Sequence, residues 1–195
     1  MTPDSPINVT GAVSIGSSVL LDGMVEYQTI LADPPWAEIG AGKIKRGADR
    51  HYPVVSDREM LNVIRSASCW RPAEDCHFWL WVTNNRLPLG LEIIKQLGFR
   101  YITNLVWVKD RIGIGQYLRG QHELCLLAVR GKTMPPPIRN VPSVLHAERR
   151  EHSAKPQQAY SIFERVSPPP RLEMFARRPK DGWTSWGNEL MPSND

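Results

Sequence analysis

The sequence YQTILADPPW occupies Tyr27–Trp36 and joins a short apolar run to a pair of prolines. Residues 27–32 have the length and apolar content of a buried strand, and the proline pair ends it. Further along the chain, strand-like and helix-like segments alternate. This alternation predicts an α/β fold with a mostly parallel central sheet. In such sheets ligands bind beyond the carboxyl ends of the strands, so the residues that follow each strand are the candidate site residues.

Hydrophobic periodicity and end signals place the other elements. Further strands are predicted over His77–Thr83, Ile102–Val108, Leu124–Val129 and Arg171–Ala176. Helices are predicted from the capping box of Ser56 and Glu59 to about Ser68, over Leu87–Leu97, and from Lys155-Pro156 to near Ser167. Residues 131–148 are predicted to form a loop, and residues 182–189 close the fold.

The composition is that of a soluble globular protein, with 42% hydrophobic and 23% charged residues among 195. No stretch approaches the roughly 20 apolar residues that span a bilayer, and the first residues, MTPDSP, do not resemble a secretory signal. We therefore expect a cytoplasmic protein with no membrane partner. Residues 1–24 are predicted to form an N-terminal arm or hairpin, and residues 25–195 a single domain. Three cysteines without Cys-x-x-Cys spacing predict reduced thiols and no metal site.

The net charge of +4 is mildly basic, and the positive residues are clustered. One cluster lies in the loop after Trp36 and includes Lys43, Lys45 and Arg46. A second extends from Lys109 to Arg150 and includes Arg111 and Arg119. Each cluster has two interpretations, a solvated surface or a surface that faces nucleic-acid phosphates.

Asp33-Pro34-Pro35-Trp36 carries the chemistry that the sequence suggests. The prolines fix φ and remove two amide donors, which leaves a stiff turn whose carbonyl groups can accept hydrogen bonds. Asp33 adds a carboxylate, and Trp36 adds a flat aromatic face. Acceptors held beside a stacking surface match a planar base with an exocyclic amine. The alternative interpretation is an ordinary turn after a strand, with Trp36 filling the core.

An exocyclic adenine amine is a weak nucleophile because its lone pair is delocalised into the ring. Asp33 and the Pro34 carbonyl oxygen could accept its two N–H groups and direct the nitrogen at an electrophilic methyl group. The nitrogen gains positive charge in the transition state, and a nearby carboxylate stabilises that charge. Asp33 would therefore act by positioning and electrostatics, and the proton would leave late.

The chain resembles the mRNA-adenosine methyltransferase (MT-A) family, whose members include bacterial and phage DNA N6-adenine methyltransferases. The resemblance covers nearly all of residues 27–190 and rests on several segments in the family's order. These segments are Ala32–Trp36, His51–Pro53, Leu80–Thr83, Leu105–Lys109, His122–Leu124, Glu151–Pro156, Leu172–Arg177 and Trp186–Glu189.

The resemblance implies a Rossmann-like methyltransferase fold with permuted motif order and S-adenosylmethionine as methyl donor, released as S-adenosylhomocysteine. Asp33, Pro34, Pro35 and Trp36 would hold the target adenine. The implied substrate contacts also include Tyr52, Trp81 and Ser153. The two basic clusters add Lys43, Lys45, Arg46, Arg111, Arg119 and Arg150 as candidate phosphate contacts. The implied cofactor contacts are Asp33, Lys155, Glu173, Phe175, Arg177, Asn188 and Glu189.

Three features of the sequence bear on the cofactor site. The acidic residue upstream of the catalytic strand has no clear match, and Asp22 is the best candidate. The register of Arg177 is open by one position, because Arg178 and Lys180 are close neighbours. A Phe-x-Gly-x-Gly loop, common in other methyltransferases, is replaced by Phe175-Ala176-Arg177-Arg178-Pro179.

We expect DNA rather than RNA as the substrate, because the chain is compact and carries no separate RNA-binding appendage. A bacterial protein of this kind would be associated with the nucleoid. RNA methylation at the same site is an alternative, as is a non-catalytic, nucleic-acid-binding partner subunit. The four-residue motif alone would also suit cytosine N4 or a small-molecule amine. Assembly as a homodimer or heterodimer stays open, and target choice would fall to the loops at 37–55 and 110–150.

Overall fold

The computed structural model describes residues 12–15, 25–36, 57–113, 115, 117–132, 134–149, 154–188 and 190. Eight strands lie in these ranges: β1 Ala12–Ile15, β2 Tyr27–Ala32, β3 Pro72–Val82, β4 Arg100–Val108, β5 His122–Arg130, β6 Val144–His146, β7 Arg171–Met174 and β8 Thr184–Gly187. They are joined by three α-helices, α1 Asp57–Ser66, α2 Leu87–Gln96 and α3 Gln158–Val166, and by a 3₁₀ turn at Asn84–Arg86.

All eight strands form one sheet in the order β1-β8-β7-β2-β3-β5-β4-β6. Four neighbouring pairs in the described sheet are parallel: β2 with β3, β2 with β7, β7 with β8, and β4 with β6. The other three pairs are antiparallel: β1 with β8, β3 with β5, and β4 with β5. The predicted α/β fold with a mostly parallel sheet is confirmed.

The reversal of β5 decides which residues meet at the edge of the sheet. Strands β2, β3, β4 and β7 end at one edge, whereas β5 begins there because it runs antiparallel to β3 and β4. Asp33, just after β2, and Glu123, near the start of β5, therefore lie at the same edge.

Side-chain alternation along the strands builds a core on each face of the sheet. One core contains Ile30, Phe78 and Leu80 and packs against residues of α1 and α2, such as Ile64 and Ile94. The opposite core contains Leu31, Trp79, Trp81, Trp107 and Phe163, the last of these from α3. Helices thus cover both faces, and β2 is buried between them.

Several expectations about element boundaries change, four of them with a physical reason or a larger shift. Residues 131–148 are not loop throughout, because β6 pairs with β4. This three-residue strand has too little sequence for periodicity to reveal it. The third helix starts at Gln158, so Lys155 and Pro156 precede it. Strand β7 ends at Met174 because Phe175 has φ 63°, a left-handed conformation that ends an extended strand. Strand β3 begins at Pro72, five residues before the predicted His77.

Strand β1 adds Ala12–Ile15 to the edge of the sheet by antiparallel pairing with β8. The rest of residues 1–24 lie outside the described residues, so the predicted arm or hairpin stays a prediction. Cys69, Cys76 and Cys125 are buried free thiols. Over the described ranges, no helix is long and apolar enough to cross a membrane.

A buried polar cluster joins β3 to the end of α3. The Trp79 indole N–H donates to Ser167 Oγ at 2.9 Å, and Ser167 Oγ lies 2.8 Å from His77 Nδ1. Ser167 is therefore the hydroxyl that links two ring nitrogens in the core. The Arg171 guanidinium donates to the Ser167 carbonyl oxygen at 3.0 Å.

We predict that Ser167→Ala lowers the free energy of unfolding by about 1–3 kcal/mol, because it leaves the Trp79 donor and His77 Nδ1 without their buried partner. Ser161→Ala on the exposed side of α3 is the matched control and should change stability by less than about 0.5 kcal/mol. Urea unfolding measures both. Equal effects of the two substitutions would contradict the assigned role of Ser167.

Candidate active site

A cavity of about 720 Å³ opens at the carboxyl edge of the sheet. It is bordered by residues that follow β2 and β7 and by the segment that leads into α3. Its volume lies in the range that small-molecule sites usually have. The side chains that matter most for its chemistry are Asp33, Trp81, Lys155, Tyr160, Glu173, Phe175 and Arg177.

An ion pair between Asp33 and Lys155 occupies one side of the cavity. Lys155 Nζ donates to Asp33 Oδ1 at 2.7 Å and to Oδ2 at 2.8 Å. The same Nζ lies 3.5 Å from Glu123 Oε2 and 5.5 Å from the centre of the Trp81 ring. Lys109 donates to the other oxygen of Glu123. Two carboxylates and two ammonium groups therefore alternate in the order Asp33, Lys155, Glu123, Lys109.

Burial and pairing act in opposite directions on these groups. Burial raises the pKa of Asp33 above its usual value, and the Lys155 ammonium opposes that rise. Burial alone would lower the pKa of Lys155, but Asp33 and Glu123 together raise it. Burial would raise the pKa of Glu123, but Lys155 and Lys109 bring it below its usual value. Lys155 thus keeps its charge and favours the ionised form of Asp33 against the effect of burial.

Glu173 is the second carboxyl group of the cavity, and its environment differs. It is buried, and the Tyr160 hydroxyl donates to its Oε1 at 2.6 Å. Among the described residues, no hydrogen-bond partner reaches its Oε2. Burial raises the pKa of Glu173 to about 7, with the Tyr160 hydrogen bond acting in the opposite direction. A buried oxygen without a protein partner at a cavity is an acceptor for a donor group of a ligand.

The prolines after β2 form a tight turn, and Trp36 lies in the core. The Trp36 amide donates to the Pro34 carbonyl oxygen at 2.9 Å, and its indole N–H donates to the Trp81 carbonyl oxygen at 2.8 Å. Trp36 is 7% exposed. The core-filling interpretation therefore describes the Trp36 ring in this conformation, and the stacking role stays a prediction. Pro35 is partly exposed beside Asp33.

Six of the residues implied for the site line this same cavity: Asp33, Trp81, Lys155, Glu173, Phe175 and Arg177. Arg178 and Lys180 line it as well, so the register around Arg177 stays open. Asn188 is exposed after β8 and is not among the described lining residues. Arg111 and Arg119 are exposed in the turn between β4 and β5.

Several implied site residues lie outside the described part of the chain, and their roles stay predictions. They are Asp22, Lys43, Lys45, Arg46, Tyr52, Arg150, Ser153 and Glu189.

The structure adds Glu123 and Tyr160, which the sequence had not assigned to the site. An acidic residue at the start of an apolar strand was the available signal for Glu123. Tyr160 carries a weaker signal, because a tyrosine on a helix usually packs at the edge of the core. The position of Lys155 is also reinterpreted: it precedes the helix, and its burial is compensated by Asp33 and Glu123.

The cavity fits S-adenosylmethionine by the chemistry of its lining. The ligand combines an amino-acid zwitterion, a sulfonium and an adenosine, and the lining offers cations, carboxylates and aromatic rings together. The buried Glu173 Oε2 supplies an acceptor that the described residues leave unused. Asp33, Lys155, Glu173, Phe175 and Arg177 would hold such a ligand. Among the described residues, no group of three metal-ligating side chains accompanies them.

The fold and the cavity define a class of protein, the α/β domain that binds a small molecule at the carboxyl edge of a largely parallel sheet. The family model MT-A70 matches residues 27–189 of this chain. The chain therefore belongs to the MT-A70 family, which confirms the resemblance drawn from the motifs.

Three relatives are 29–32% identical to this chain over the segments that align with it. It is 32% identical to an N(6)-adenosine-methyltransferase MT-A70-like protein of Arabidopsis thaliana over 89% of this chain and 25% of the relative. It is 29% identical to the human N(6)-adenosine-methyltransferase catalytic subunit METTL3 over 85% of this chain and 28% of the relative. It is 29% identical to the type II methyltransferase M.MunI of Mycoplasma sp over 87% of this chain and 79% of the relative. The chain thus spans about a quarter of the plant and human relatives.

We predict that Glu173→Gln stabilises the protein at pH 8 by on the order of 2 kcal/mol. Because the folded pKa of about 7 exceeds the ordinary 4.5, the folded state binds more protons between these values, and stability falls as pH rises through that window. Glutamine removes the buried charge and keeps an acceptor for Tyr160. The gain should vanish at pH 4.5. The control Glu74→Gln, at an exposed position, should change stability little at either pH. Urea unfolding at both pH values measures the difference, and a loss of stability at pH 8 would contradict the assignment.

Proposed function

We propose that the chain transfers a methyl group from S-adenosylmethionine to the N6 amine of adenine in DNA. The observation that carries the proposal is the Asp33 carboxylate, paired with Lys155 in the cavity that Glu173, Phe175 and Arg177 also line. Membership of the MT-A70 family supports methyl transfer with this donor. When bound, S-adenosylmethionine supplies an electrophilic methyl group on a sulfonium.

Asp33 acts on the amine by orientation and charge. Its carboxylate oxygens can each accept a further hydrogen bond besides those from Lys155. The Pro34 carbonyl oxygen accepts from the Trp36 amide and has a second lone pair for an adenine N–H. As the bond from the amine nitrogen to the methyl carbon forms, the bond from that carbon to the sulfonium sulfur breaks, and the thioether S-adenosylhomocysteine is the leaving group. The amine nitrogen becomes positive, and Asp33 stabilises that charge. The extra proton then passes from the methylated amine to water.

Lys155 and Glu123 keep the Asp33 carboxylate in place. The ammonium holds both Asp33 oxygens, and its own position is fixed from the far side by Glu123. Because these contacts hold the Asp33 carboxylate in position, it does not have to reorient as charge develops in the transition state. Such preorganised charges make the largest contribution to electrostatic catalysis. Contact between Lys155 and the methionine carboxylate would share the ammonium with Asp33 and Glu123.

The choice of DNA draws on the similarity to the type II methyltransferase M.MunI, which is 29% identical over 87% of this chain. RNA is the second candidate, because the Arabidopsis and human relatives carry adenosine in their names and match 85–89% of this chain. A duplex target would have to be flipped into the cavity at a cost of a few kcal/mol. A non-catalytic partner subunit is less well supported, because Asp33–Trp36 are intact.

We predict that Asp33→Asn lowers kcat by about 10²–10³-fold, because it removes the charge that stabilises the forming cation. The measurement is transfer of radiolabelled methyl groups to genomic DNA. Glu92→Gln on α2, an exposed carboxylate remote from the cavity, is the matched control and should keep full activity. A fully active Asp33→Asn protein would contradict the proposed role of Asp33.

We predict that label enters DNA faster than RNA when matched adenine-containing strands of each are offered. Adenine-free strands control for other acceptors, and digestion to nucleosides identifies the methylated base. Faster labelling of RNA would replace DNA by the second candidate. Label in neither, with cofactor binding intact by calorimetry, would contradict methyl transfer to nucleic acid by this chain alone.

A further inference from the structure

The turn that joins β4 to β5, residues 109–121, lies at the same edge of the sheet as the cavity. Strand β4 runs parallel to β3 and hence to β2, because both β3 and β4 pair antiparallel with β5. The base of the turn reaches the cavity through ion pairs: Lys109 contacts Glu123, Glu123 contacts Lys155, and Lys155 contacts Asp33. We call its described residues, 109–113, 115 and 117–121, the β4–β5 turn.

Hydrogen bonds across the β4–β5 turn give it a fixed shape. The Lys109 amide donates to the Gln121 carbonyl oxygen at 2.8 Å, and the Gly113 amide donates to the Gly120 carbonyl oxygen at 2.6 Å. The Arg119 Nε–H donates to the Gly113 carbonyl oxygen at 2.8 Å. Gly115 has no room for a Cβ, because such an atom would collide with the Leu118 carbonyl oxygen. These contacts join the two sides of the turn among its described residues.

The tip of this turn exposes apolar side chains to an extent seen nowhere else in the described residues. Tyr117 is fully exposed, Leu118 is 83% exposed and Ile112 is 60% exposed, whereas the next large apolar side chain, Val144, is 43% exposed. Tyr117 also has φ 55°, which is unfavourable for a residue with a side chain of this size. Exposed apolar groups held on a shaped turn indicate a surface that another molecule covers.

The charges beside these apolar groups indicate what that molecule is. Arg111 has a side chain that is 83% exposed, and Arg119 is exposed as well. The one acid of the turn, Asp110, accepts from Arg111 and from the Arg149 amide. An exposed aromatic ring flanked by guanidinium groups matches a nucleic acid, which carries both negative phosphates and bases that can stack. A protein partner would need acidic side chains opposite these guanidinium groups.

We propose that the β4–β5 turn is a contact surface for the nucleic-acid substrate, in which Tyr117 and Leu118 pack against bases next to the target adenine. Arg111 and Arg119 lie beside them and contact phosphates. The proposal rests on the proposed function, because it takes the target base to enter the Asp33 cavity. Apolar side chains of this kind can fill the space that a flipped base leaves in the stack.

The test is binding of a fluorescein-labelled, mixed-sequence 30-mer, as duplex DNA and as a single strand, followed by anisotropy. Tyr117→Ala should weaken binding about tenfold, since one stacked base is lost. Tyr101→Ala is the matched control, because Tyr101 is an exposed tyrosine near the opposite end of β4 and should not change binding. Arg111→Gln should reduce the dependence of log Kd on log salt by about one.

Two further measurements separate the outcomes. Calorimetry with S-adenosylmethionine should give the same Kd for Tyr117→Ala and the wild type, and light scattering should give the same mass. If the wild type methylates DNA and Tyr117→Ala binds DNA equally well, the contact surface is overturned while the proposed function stands. If Tyr117→Ala instead converts a dimer to a monomer without loss of DNA affinity per chain, the tip is a protein interface and the proposal is overturned. A wild type that neither binds nor methylates nucleic acid overturns both.

Discussion

The pairing of Asp33 with Lys155 is the interaction on which the rest of the site depends. Desolvation at the end of β2 favours a neutral carboxyl group, and the buried ammonium is what opposes it. The two residues are 122 positions apart, so the fold must bring the segment before α3 to the end of β2. A second carboxylate, Glu123, lies on the other side of Lys155 and helps to offset the desolvation of the buried ammonium. The conformation of three separate chain segments is thus fixed around one charge.

The direction of β5 explains how that arrangement arises. A strand that ran parallel to its neighbours would place Glu123 at the amino edge of the sheet, away from Lys155. Reversal of this one strand in the sheet brings its first residues to the carboxyl edge. Glu123, near the beginning of β5, and Asp33, just after the end of β2, can then both contact the Lys155 ammonium. The turn that precedes β5 is brought beside the cavity as well.

The sequence predicted the parts of the molecule that depend on local pattern. The apolar run before Asp33 and the aromatic run of β3 were recognisable because both are buried on two faces. The partners of Asp33 were not recognisable, because hydrophobic periodicity carries no information on strand direction or on contacts between distant segments. Glu123 therefore escaped assignment. For Trp36 the sequence leaves a stacking face and a place in the core as alternatives, and the fold buries its ring. The sequence predicts a loop over residues 131–148 because the three residues of β6 cannot establish a pattern.

The two cavity carboxyl groups illustrate how environment divides labour within one small site. Asp33 faces an ammonium, which favours its charged form, as stabilisation of a developing cation requires. Glu173 faces a neutral phenol and lacks a cation at hydrogen-bond distance among the described residues, so its pKa rises to about 7. Two acidic side chains of one cavity thus meet different neighbours: a buried ammonium opposes the effect of burial at Asp33, whereas a neutral phenol contacts Glu173. In the proposed function, Asp33 serves the reacting amine, and the buried Oε2 of Glu173 is left to accept from a hydroxyl or amine of the ligand.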